Sequence, residues 1–152
     1  MFNPTQEDVR RFFCGAWAKH QAGQPVEALE AIAANWIAEH PEWHDDFADA
    51  ADAVARQYPE GSPGGNPFLH LAMHLSISEQ CSIDQPRGIR QAVELLARRQ
   101  SDLHAAHHVA MECLGQMLAD AQASGQAPDG ATYVAAVQRR ATRNAHPESP
   151  NK

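Results

Sequence analysis

The chain has 152 residues and a formal net charge of −7, a length that fits one domain burying roughly two thirds of its unfolded surface in a single core. The acidic balance argues against a nucleic-acid partner, whose binding surface shows a net basic footprint; the Arg10–Arg11, Arg98–Arg99 and Arg139–Arg140 pairs read instead as solvated helix faces. No apolar run approaches the roughly eighteen residues that a membrane span needs.

The start, MFNPTQEDVRR, has no charged, apolar and small-residue sequence of a signal peptide. Cys14, Cys81 and Cys113 are odd in number and widely spaced, without a CxxC pair. A reduced, cytoplasmic protein is therefore expected.

In chain order the sequence reads as helices divided by clear punctuation. Thr5 and Asp8 resemble a capping box, and Val9, Phe12, Phe13, Ala16 and Trp17 follow on one stripe. After a turn at Gly23 and Pro25, Val26, Leu29, Ile32, Ala33, Trp36 and Ile37 give an amphipathic helix. That helix should stop near His40, because Pro41 disfavours helical geometry at the residue before it. Pro41 can itself open a new helix carrying Trp43, His44 and Phe47. The loop YPEGSPGGNP ends in Asn66–Pro67, an N-cap and first-turn pair for the next helix. A break at IDQPRG follows, and Ser101 is placed to cap the helix bearing His104 and His108. Gly125 to Gly130 precedes a last helix with Tyr133, Val134 and Val137. No period-two alternation occurs. The expected class is all-α, a single compact bundle-like domain of five to seven helices over residues 1–143, with a polar tail over 144–152.

Nine histidines are present, and six form pairs spaced four apart: His40/His44, His70/His74 and His104/His108. On a helix advancing 100° per residue, His74 lies about 40° from His70 and Cys81 about 20° from it. Phe68, Leu69, Leu71, Met73 and Leu75 fill most of the remaining circumference, and a helix apolar nearly all round is expected to be central and buried. Histidines at i and i+4 can bring ring nitrogens onto one metal ion. His104, His108 and Glu112 step by four in the same way and form a strip of two imidazoles and a carboxylate, chemistry suited to Zn, Fe or Mn. If the helix bearing His70 and His74 faced this strip, up to four nitrogens and one carboxylate would meet, and bundle cores commonly hold such sites.

A second set of candidates is weaker. His40 and His44 are separated by Pro41, and Asp45 and Asp46 are equally suited as their partners. Cys81 is a soft donor on the His70 face, Glu79 falls near 180° from the pair, and His107 points into the apolar stripe beside His108. The contrasting reading makes all these imidazoles structural, hydrogen-bonded to carboxylates or to serines such as Ser76 and Ser78. Bis-histidine haem is a lesser alternative, without a CxxCH for covalent attachment.

Several blocks together, MFNP…VRRFF, PVEALEAIAANWIAEHPEWH, NPFLHLAMHLSISEQ.SIDQPRGIR and MECLGQML, resemble the proteobacterial domain of unknown function family 1841 from Met1 to about Arg140. The resemblance implies an all-α cytosolic protein and brings no activity with it. It implies that His70, His74, His104, His108 and Glu112 are shared, together with Glu79, His40 and His44. Positions 81 and 107 depart from the family pattern, which counts against Cys81 and His107 as obligatory ligands.

Named chemistries find little support in the letters. HExxH is absent, as are the Glu-x-x-His signature of ferritin-like di-iron bundles, GxSxG, P-loop and GxGxxG motifs. His70-x-x-x-His74 with His108-x-x-x-Glu112 is like the hemerythrin ligand set in reversed chain order, an analogy only. Cys113 falls on the helix face away from His107 and His108, so a Cys–His nucleophile is not expected. The expected partner is one or two divalent transition-metal ions, with catalysis undecided and the oligomeric state open, a homodimer included.

Overall fold

Residues 5–62 and 64–142 are described by the computed structural model; the polar tail expected over 144–152 lies outside them. Among the described residues the elements are α1 (Gln6–Gln21), α2 (Ala28–Ala38), a 3-10 helix (Pro41–Phe47), α3 (Ala50–Ala55), α4 (Pro67–Ile83), α5 (Ile89–Gln100), α6 (Leu103–Ser124) and α7 (Gly130–Thr142). No strand occurs among them. The all-α expectation holds, but these eight helical elements exceed the five to seven expected. The excess comes from the stretch after α2, where two short elements start afresh. Pro41 holds His40 out of helical geometry, at φ −127 and ψ 65. Asp49 then caps α3, its side chain accepting from the backbone N–H of Ala51 and Asp52.

By its contacts the chain divides into two compact units, Met1–Leu75 and Ser76–Lys152. In the first, the expected capping box forms, with Thr5 Oγ1 accepting from Asp8 N and Asp8 Oδ2 from Thr5 N, both at 3.0 Å. α1 packs on α2 and α3 around a core that includes Phe13, Trp17, Ile37, Phe47, Phe68 and Leu71. Arg10 corrects its reading as a solvated face. It is 4% exposed, and its Nη1 donates to the carbonyls of Ala53 at 2.7 Å and Arg56 at 2.6 Å. The guanidinium thereby binds the partial negative charge at the end of α3 and lies against the rings of Tyr58 and Phe68. Arg11, one residue on, only pairs with Glu7 at the surface. α4 opens as expected, with Asn66 Oδ1 accepting from Phe68 N at 3.0 Å and Leu69 N at 3.3 Å. α4 is not buried all round, however: Phe68, Leu71 and His74 are buried while Leu69 is 61% exposed.

In the second unit α5, α6 and α7 pack pairwise around Ile89, Leu96, Met111, Leu114, Tyr133 and Val137. Each such side chain contributes on the order of 1.5–3 kcal/mol by leaving water. Gly88 starts α5 at φ +97, where an added Cβ would come 3.3 Å from Val134 Cγ1, so glycine suits the position on two counts. The cap of α6 is Asp102 rather than Ser101: Asp102 carboxylate oxygens accept from His104 N at 3.3 Å and Ala105 N at 3.1 Å. Ser101 instead ends α5 in the left-handed region, at φ 57. No described helix is long and apolar enough to cross a membrane.

Candidate metal centre

Three imidazoles gather in the first unit. His40 leaves the end of α2, and His70 and His74 lie one turn apart on α4. The ring centroids are 5.0 Å apart for His40–His70, 5.0 Å for His40–His74 and 4.9 Å for His70–His74. His74 is fully buried, His40 is 3% exposed, and His70 is half-buried.

Two indoles wall the cluster. Trp36 stacks on His74 with centroids 4.1 Å apart and planes 17° from parallel. Trp43 stacks on His40 at 5.0 Å and 7°, and meets His70 edge-on at 5.0 Å.

The tautomer of His40 follows from its partner. Nδ1 lies 2.8 Å from the Trp36 carbonyl oxygen. A carbonyl only accepts, so Nδ1 carries the proton, and in the neutral tautomer of this ring the lone pair is on Nε2. Metal-bound histidines are commonly oriented this way, with the second ring nitrogen donating to a carbonyl. His40 and His74 each offer a ring nitrogen within 4.8 Å of the other. Two nitrogens on one tetrahedral ion stand about 3.3 Å apart, from bonds of about 2.0–2.1 Å.

His44 goes elsewhere, although the sequence paired it with His40. Its Nε2 donates to the Ile37 carbonyl at 2.9 Å, and its ring packs on Trp17 with centroids 4.6 Å apart. His20 stacks on the same indole at 5.3 Å. Asp46, suggested as a partner for this pair, instead accepts from the Tyr58 hydroxyl at 2.5 Å and from Arg56 at 3.3 Å.

In the second unit His104 and His108 share one face of α6, with ring centroids 4.5 Å apart and ring nitrogens within 4.8 Å. His104 is half-buried and His108 exposed. His107 turns into the core of this unit at 3% exposure. Burial, with smaller contributions from His104 and His108, pushes its pKa down to about 4, leaving a neutral core imidazole at neutral pH. Glu112, one turn beyond His108, is bonded by Arg140 Nη1 at 2.9 Å and is largely exposed. Glu79 is exposed. Cys81 is half-buried, and burial, followed by the Glu94 charge, raises its thiol to about 11. It is thus a protonated thiol at neutral pH, whereas a metal takes the thiolate. Eleven residues along a helix separate Cys81 from His70 by about 16 Å, so a shared helical face does not make a shared site.

The spacing gave no sign that Trp36 and Trp43 wall the histidines or that His40 lies beside His70 and His74. The composition of NWIAEHPEWH carried a signal, since Trp36, His40, Trp43 and His44 crowd one short stretch.

The family model described as domain of unknown function (DUF1841) matches residues 5–139. No curated protein and no solved structure matches the chain. The chain belongs to the DUF1841 family.

Proposed function

We propose that this DUF1841 protein is a non-haem metal-binding protein whose histidines hold one or two divalent transition-metal ions, with Fe, Zn or Mn as the metal. It acts in binding, sensing or small-molecule chemistry, as one helical domain over 1–143 in the cytoplasm. In the first unit the ligands are His40 and His74, with His70 beside them. In the second they are His104 and His108, with Glu112 as the adjacent carboxylate once it leaves Arg140. The carrying observation is the pair His40 and His74, each of which offers a ring nitrogen within 4.8 Å of the other, with His40 oriented by the hydrogen bond from Nδ1 to the Trp36 carbonyl. The chemistry of the set suits borderline metals, since imidazole is a ligand for both Zn and Fe.

A second reading makes the histidines structural, and His44 favours it. That ring is fixed between the Ile37 carbonyl and Trp17 without any metal. Haem is less well supported, because Trp36 and Trp43 lie flat on His74 and His40, where a porphyrin would need an open slot.

Elemental analysis of protein purified without a nickel column separates these readings. The metal reading predicts Fe, Zn or Mn at one or two equivalents per chain and no Soret band. Metal-free protein that also takes up no added ion would leave the structural reading standing, and a Soret band would select haem.

A further inference from the structure

We infer that an ion held by His40 and His74 takes a small monoanion, an oxygen or nitrogen donor of the hydroxide or carboxylate class, as an exogenous ligand. This rests on the metal reading. Imidazole donors are neutral, so a divalent ion on His40 and His74 keeps both its positive charges. The surroundings are apolar: His74 is fully buried, His40 is 3% exposed, and the stacked groups are the uncharged indoles of Trp36 and Trp43. The carboxylates of this unit are engaged elsewhere or lie at the surface. Asp46 bonds Tyr58 and Arg56, Asp49 caps α3, Glu30 pairs with Lys19 at 2.8 Å, and Glu42 and Asp45 are exposed. His40 and His74, whose ring nitrogens lie within 4.8 Å of each other, bring no negative charge of their own. An uncompensated dication in such a place is costly, and an entering anion relieves that cost. Ions bound by few protein ligands keep a position for water or substrate. The anion displaces that water, with no change in any protein bond.

The test loads the full chain with Co(II), whose visible d–d bands report its coordination, and titrates azide as the probe, followed by acetate as competitor. The inference expects the bands to shift and saturate with azide at one anion per ion, and acetate to reverse the change. His20→Ala should respond like wild type. His74→Ala should lose the response, with circular dichroism confirming that it has folded. If Co(II) binds at defined stoichiometry but its spectrum ignores a large excess of azide, the anion inference is overturned while the metal reading survives. If Co(II) does not bind at all, both are overturned.

Discussion

Trp36 lies flat against His74, with ring centroids 4.1 Å apart, so any ion on His74 sits beside an indole. Cu(II), a paramagnetic quencher with high affinity for imidazole sites, should therefore quench tryptophan fluorescence saturably in wild type. The quenching should be weaker in Trp36→Phe and absent in His74→Ala. Equal quenching in His74→Ala would place the copper elsewhere.

Arg10 and Arg11 are neighbours in sequence and opposites in energy. Arg10→Met keeps an apolar stem but strips the donors from two carbonyls, those of Ala53 and Arg56. We expect it to cost about 2–4 kcal/mol in urea unfolding. Arg11→Ala removes only an exposed pair with Glu7 and should change stability by less than about 0.5 kcal/mol. Similar losses from both would contradict the burial of Arg10.

The ends of α5 and α6 give a paired test. Asp102→Ala should cost about 1 kcal/mol, because its carboxylate caps α6. Ser101→Gly should be neutral or stabilising by up to about 1 kcal/mol, since Ser101 holds φ 57 and glycine adopts that region freely. A large loss from Ser101→Gly would restore serine as the cap.

The thiols should be sluggish and pH-dependent. Burial raises the Cys81 thiol from its ordinary value of 9.0 to about 11 and also raises Cys14 and Cys113. The sign follows from linkage: between about 9 and 11 the unfolded thiol has lost its proton and the folded one has not, so stability falls as pH rises through that window. Alkylation of native protein at pH 8 should be far slower than in urea and should rise about tenfold per pH unit. Fast labelling of Cys81 at pH 8 would contradict this.

Local chemistry made much of this fold legible. The caps at Thr5 and Asn66 and the stop before Pro41 depend on a few adjacent residues, so the letters reveal them. The failures are tertiary. Nothing near Arg10 in sequence signals the end of α3, which lies more than forty residues away. Nothing in the spacing of His40 and His44 shows that Pro41 sends one ring toward His74 and the other toward Trp17. Spacing identified His70/His74 and His104/His108 as pairs on helix faces, and both pairs are close in space. It could not place His40, whose orientation depends on one hydrogen bond to the Trp36 carbonyl.

Thermal melts with added metal test the central claim most directly. An ion bound only by the folded chain stabilises it by mass action, by about 2.7 kcal/mol at a hundred times Kd, which raises Tm by roughly 5–10 °C for a chain of this size. We predict such a rise for wild type and His20→Ala with at least one of Zn, Mn, Fe(II), Co, Ni or Cu. We predict that most of it is lost in His74→Ala and that it is diminished in His108→Ala. No rise with any of these ions, or an equal rise in wild type, His74→Ala and His108→Ala, would contradict the account and leave the histidines structural.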